Sequence, residues 1–200
     1  MAVSPPRYSV EVKIDVTVDQ VGWPRRGPVR FGFESNRLFE NLRDATWADA
    51  ANALSIEEDV LGRCLHDATD SEDFDRLLDE ILEDEFDSFE TNLDFGTIAA
   101  TLALNAAGCP TITSCSGHHH GIGYPQVVFW TRPHRLALLM QAAETADVGL
   151  LAGDLGWLEA YSDSMDGLMR FCRALLSLER AFGGARRSPR RLVGKTRRTS

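Results

Sequence analysis

Val148-Gly149-Leu150-Leu151-Ala152-Gly153-Asp154-Leu155-Gly156-Trp157-Leu158-Glu159-Ala160-Tyr161 sets two short apolar runs on either side of a Gly-Asp-Leu-Gly reversal. Residues 148–152 and 157–161 have strand length, and the glycines between them permit a tight return, so the stretch reads as a β-hairpin. A hairpin is an antiparallel pair, and this one predicts an antiparallel sheet. Working toward the N-terminus, residues 124–131 hold Val127, Val128, Phe129 and Trp130 and read as a buried strand. Pro133 suits the first turn of a helix continuing to about residue 146. Residues 111–114 form a further short strand. Before it, residues 95–107 are apolar on nearly every side and predict a central buried helix, which Gly108 ends.

Residues 9–19 alternate with period two. Val10, Val12, Ile14, Val16 and Val18 share one face, and Ser9, Glu11, Lys13, Asp15, Thr17 and Asp19 the other, which predicts a strand with one wet face. Residues 29–33 are its expected short partner. Ser35 or Asn36 then caps a helix to about residue 54, with an interruption at Asp44-Ala45-Thr46. Residues 55–90 read as helical and acidic, with fifteen carboxylates against Arg63 and Arg76. Phe74, Leu77, Leu78, Ile81, Leu82, Phe86 and Phe89 make an apolar stripe there, so the carboxylates read as a solvated face. Asn92 or Asp94 is placed to cap the buried helix, and Asp94 also stands near the loop which that helix feeds. Ser162 or Ser164 starts a last helix whose stripe includes Leu168, Phe171, Cys172, Leu175, Leu176 and Phe182.

Strands and helices therefore mix without a regular βαβ rhythm. The expectation is one α+β domain over residues 1–182, with a mostly antiparallel sheet covered by helices. Residues 183–200 carry seven arginines and lysines, no acidic residue and no periodicity, and are expected to be a disordered basic tail. The remainder holds 14 basic against 30 acidic residues. Two hundred residues, 44% hydrophobic and 26% charged, suit a globular chain with a substantial core. No apolar run approaches the roughly 18 residues of a membrane span, so no membrane partner is expected. Residues 1–8 hold two prolines and no signal-peptide core, and four irregularly spaced cysteines fit free thiols; both predict a cytoplasmic location.

Chemistry concentrates between the buried helix and the 124–131 strand, in Cys109-Pro110-Thr111-Ile112-Thr113-Ser114-Cys115-Ser116-Gly117-His118-His119-His120-Gly121-Ile122-Gly123. Cys115 ends a predicted strand and His118 follows three residues later. A thiolate at neutral pH needs a nearby cation or donor, which an imidazole supplies, so Cys115 and His118 are the candidate catalytic pair. Ser114, Ser116, Gly117 and His120 are candidate ligand-binding residues. The Ser116 and Gly117 amides read as an anion cradle for a small-molecule or nucleotide-like ligand. Cys109, Cys115, His118 and His120 also offer the two thiolates and two imidazoles that zinc prefers, although Cys109 lies across a strand from the others. A third reading makes Cys115 a small buried hydrophobe on a solvated loop. Cys64 and Cys172 lie in helical contexts and read as core.

Gly108, Thr111, Ser114-Cys115-Ser116-Gly117-His118 and Tyr124-Pro125 resemble a group of bacterial proteins of unassigned activity that carry a Ser-Cys-x-Gly-His loop. Ser114-Cys115-Ser116-Gly117 is also similar to the motif of the methyltransferase family of tRNA wybutosine synthesis. That resemblance implies a compact α+β fold, S-adenosylmethionine as cofactor and a ligand-binding role for this loop. It covers about 20 residues, and the family motif continues with arginine where this chain has His118. A different class of function, a non-enzymatic interaction module, would use the acidic helix and the basic tail as docking surfaces, with nucleic acid as one partner for the tail.

Overall fold

The structure, a computed structural model, describes residues 3–23, 42–85, 93–117 and 123–183. Its strands are β1 (Ile14–Asp15), β2 (Thr111–Cys115), β3 (Gln126–Phe129), β4 (Gly149–Ala152) and β5 (Leu158–Tyr161), arranged β1-β4-β5-β3-β2 in one sheet. All pairings are antiparallel except β1 with β4. Five α-helices lie among the described residues: α1 (Trp47–Asp67), α2 (Ser71–Glu85), α3 (Ile98–Ala106), α4 (Leu136–Ala146) and α5 (Gly167–Ser177). The chain is an α+β protein with helices packed on a mostly antiparallel sheet.

The hairpin expected from residues 148–161 is β4–β5, with Gly149 opposite Tyr161 and Ala152 opposite Leu158. Gly149 in β4 and Gly153 just after it have a packing reason. The Tyr161 ring lies across Gly149 and the Trp157 ring across Gly153, and a Cβ at either glycine would collide with the ring. Aromatic cover of a strand glycine supplies the apolar contact the glycine lacks. At the other end of the hairpin, Gly153 N–H donates to Trp157 O at 2.9 Å and closes the turn.

Residues directly opposite each other in antiparallel strands share a face. Val127, Phe129, Leu150, Leu158 and Ala160 point to the helices and join Leu104, Leu139, Leu168 and Phe171 in one core. Cys115, Gln126, Tyr161 and Gly149 form a row on the opposite face.

The N-terminal strand is shorter than its alternation predicts, and its neighbour differs. Burial alternates from residue 9 to residue 17, ending on buried Val16, but only Ile14 and Asp15 enter the ladder, parallel to β4. Upstream, the Tyr161 hydroxyl takes the place of a strand partner. It accepts from Lys13 N–H at 3.2 Å and donates to Glu11 O at 2.9 Å. Downstream, residues Val18–Gln20 turn into a short 3-10 helix closed by the Gln20 side chain on Thr17 N–H, which turns Val18 out to solvent. The expected partner at 29–33 and the helix start at Ser35 or Asn36 lie outside the described residues.

The Asp44-Ala45-Thr46 interruption is a helix start. Thr46 caps α1, its hydroxyl accepting from Asp49 N–H while the Asp49 carboxylate accepts from Thr46 N–H. A single helix thus crosses the expected boundary at residues 54–55. A break at 68–70 separates it from α2, where Phe74 and Leu78 are buried. Phe86 and Phe89 lie outside the described residues, as does the basic tail from 184 onward. Pro133 opens a 3-10 turn that runs into α4, and the last helix begins at Gly167, later than Ser162 or Ser164 predicts. Among the described residues no helix is long and apolar enough to cross a membrane.

Candidate functional site

β2 is bounded by two left-handed glycines, Gly108 (φ +69°) and Gly117 (φ +77°). Gly108 ends α3 in the conformation glycine adopts without a Cβ penalty. The chain then enters β2 through Cys109 and leaves it through Cys115. At the entry end Cys109 is fully buried, its Sγ 3.2 Å from Thr131 Oγ1. Burial pushes its thiol up from the ordinary cysteine range. Cys64 and Cys172 are also buried and pushed up by burial, in agreement with a core role. Cys115 alone of the four thiols is partly exposed.

At the exit end, separate segments meet the main chain of Ser116, the residue that follows Cys115. Ser116 N–H donates to Asp94 Oδ2 at 3.2 Å, and the Tyr8 hydroxyl donates to Ser116 O at 3.2 Å. The Tyr8 ring and the Tyr124 backbone close on Gly117, leaving no room for a Cβ. Tyr8 is itself held by its main chain: Tyr8 N–H donates to Asp163 O at 2.7 Å, and Met165 N–H to Pro6 O at 3.1 Å. An Arg7–Asp163 ion pair at 2.7 Å adds to this strap. Burial, with Asp75 and Cys115 nearby, raises the Tyr8 phenol to about 12, so it stays protonated and remains a donor. On the sheet face that carries Cys115, Tyr124 Oη donates to Glu159 Oε1 at 3.1 Å, and the Tyr124 and Tyr161 rings lie 5.3 Å apart.

The predicted site residues are therefore distributed as follows. Ser114 faces the helix layer opposite Val127, and Cys115 faces away from it opposite Gln126. The Ser116 N–H, expected to meet a ligand anion, is given to a carboxylate of the chain itself. His118 and His120 lie outside the described residues. Cys109 stands at the far end of β2, roughly 20 Å from Cys115 for an extended strand. Among the described residues no group of three or more His, Cys, Asp or Glu side chains gathers to hold a metal.

Asp94 reaches the loop but does not cap α3 with its side chain. That task falls to Glu57 of α1, fully buried, whose Oε1 accepts from Gly96 N–H at 2.7 Å and Ile98 N–H at 3.0 Å. Its Oε2 accepts from Ala99 N–H at 3.1 Å. Ile98 and Ala99 carry donors that a helix start leaves unpaired, at its positive end, and Gly96 belongs to the turn before it. Burial nonetheless outweighs the three bonds and raises the Glu57 carboxyl to about 7.

Glu57 was legible in principle: it falls on the apolar stripe of Ala50, Ala53, Leu54, Val60, Leu61 and Cys64, where a carboxylate needs a partner. No sequence signal marks Tyr8, because its place at the loop depends on contacts between distant segments. Comparison of the chain with protein-family models, curated proteins and solved structures gave no match.

Proposed function

We propose that this chain is a ligand-binding or catalytic protein working at the 114–120 segment, with Cys115 as its thiol centre. The observation that carries the reading is the contrast among the cysteines. Three are sealed in the core, while the fourth is partly exposed beside Ser116, whose N–H and C=O are held by the side chains of Asp94 and Tyr8. A loop fixed in this way presents its neighbouring side chain in a defined direction before any ligand arrives, which is the preorganisation a site requires. In this reading Cys115 contacts the ligand or attacks it, and His118, three residues on, carries the proton or supplies the cation that a thiolate needs. The Tyr8 hydroxyl and Asp94 fix the loop.

A small-molecule panel screened by thermal shift tests the proposal, with hits measured by calorimetry in the wild type and in Cys115→Ser. The expected ligand raises the melting temperature, protects Cys115 from iodoacetamide and loses at least about tenfold in affinity in Cys115→Ser, as expected for one lost direct contact. A ligand that binds Cys115→Ser with full affinity and leaves the thiol unprotected would refute it.

A further inference from the structure

Glu57 is fully buried near the middle of α1, and three main-chain N–H groups converge on its carboxylate. Those groups belong to Gly96, Ile98 and Ala99, the end of one turn and the beginning of α3. Asp94 stands in the same turn. Its main-chain oxygen accepts from Thr97 N–H at 3.1 Å and from the Thr97 hydroxyl at 2.7 Å. Its side chain leaves the turn to accept Ser116 N–H, one residue after Cys115. Gly96, two residues after Asp94, is left-handed at φ +84°, and a Cβ there would press on Met165 O. The turn is thus tied to α1 on one side and to the Cys115 loop on the other.

We propose that Glu57 is a positioning residue for the Cys115 loop, acting through Asp94. Glu57 fixes the turn, the turn fixes the Asp94 carboxylate, and that carboxylate holds the Ser116 peptide. The functional meaning of this chain of contacts rests on the reading of Cys115 given above. A carboxylate suits the post because both its oxygens only accept, so each can face backbone donors. In Glu57→Gln the side-chain amide would turn an N–H₂ toward one of those donors and lose its bond. A simple helix cap would stabilise α3 and leave the loop unaffected; a positioning residue must also change Ser116.

The test is amide exchange at Ser116, read by NMR or peptide mass spectrometry, with the alkylation rate of Cys115 in the same samples. The variants are Glu57→Gln, Asp94→Ala, the double variant, and Leu139→Ala, which opens a cavity in α4 away from the turn. At pH 8, where Glu57 is largely ionised, loss of one bond to a charged group is expected to speed Ser116 exchange roughly ten- to a hundredfold in both single variants. The double variant should exchange no faster than Asp94→Ala, and Leu139→Ala should keep the wild-type Ser116 rate. The alkylation rate should shift in step with Ser116 exchange.

Wild-type Ser116 exchange in Glu57→Gln, an effect no larger than that of Leu139→Ala, or additivity in the double variant would each overturn the proposal. Should Glu57→Gln not fold, Gly96→Ala strains the same turn with Glu57 in place and must give the same Ser116 response. The two readings fail separately. Full ligand binding by Cys115→Ser removes the function and leaves the exchange coupling standing, whereas uncoupled exchange removes the positioning role alone.

Discussion

The two ends of β2 each carry a cysteine beside a left-handed glycine, and the structure treats them in opposite ways. At the entry, Cys109 is sealed against Thr131 and behaves as a small apolar residue with a reluctant proton. At the exit, Cys115 is partly exposed, and side chains from the N-terminal strap and from the turn before α3 hold the C=O and the N–H of the next residue. The difference teaches that a cysteine's role here follows from which side of the sheet it meets. Cys109 is enclosed by the end of α3 and Thr131, whereas Cys115 lies on the sheet face away from the helices, one position past inward-facing Ser114.

Substitution at the two glycines should sharpen this contrast most. Gly117→Ala places a Cβ against the Tyr124 backbone and the Tyr8 ring, in a left-handed conformation, and is expected to cost about 3 kcal/mol. Gly108→Ala has the same conformational strain, but its Cβ meets the end of the Arg135 side chain, which can swing aside, so about 1–2 kcal/mol is expected. Urea unfolding of both variants measures the difference, and equal losses would mean that the exit end is no more tightly held than the entry.

Glu57 gives the next effect, in pH. Its carboxyl is raised from 4.5 to about 7 in the folded chain, so the folded state binds the extra proton between those values. This contribution to stability is fully present below pH 4.5 and is lost as pH rises to about 7. In urea titrations at pH 4.5, 6 and 8, Glu57→Gln should therefore lose less stability with rising pH than the wild type. An unchanged slope would show that Glu57 does not titrate in that window.

The smallest effects belong to single hydrogen bonds at either end. Tyr8→Phe and Thr131→Val are each expected to cost about 1 kcal/mol in unfolding experiments. Only Tyr8→Phe should alter the modification rate of Cys115. The reverse pattern would mean that the strap does not hold the loop.

Much of the fold was legible because its signals are local. The hairpin at 148–161, the strand at 111–114, the α2 stripe through Phe74 and Leu78 and the core positions of Cys64 and Cys172 all follow from periodicity and turn chemistry. What escaped depends on distant partners. The strand at residues 9–19 has the right alternation, yet its ladder is limited to Ile14–Asp15 because the Tyr161 hydroxyl takes up the backbone at Glu11 and Lys13. Asp94 reads as a cap for α3, but a carboxylate from another helix does that work. At the site, Cys115 could be singled out from its neighbours in sequence, whereas Tyr8 comes from more than a hundred residues away and has no local signature.

Iodoacetamide labelling of the native protein, resolved by residue with mass spectrometry, tests the central claim most directly. The account predicts Cys115 modified about a thousandfold or more faster than Cys64, Cys109 and Cys172, since core thiols react only when an opening of several kcal/mol exposes them. Labelling spread evenly over the four cysteines, or confined to one of the other three, would contradict it.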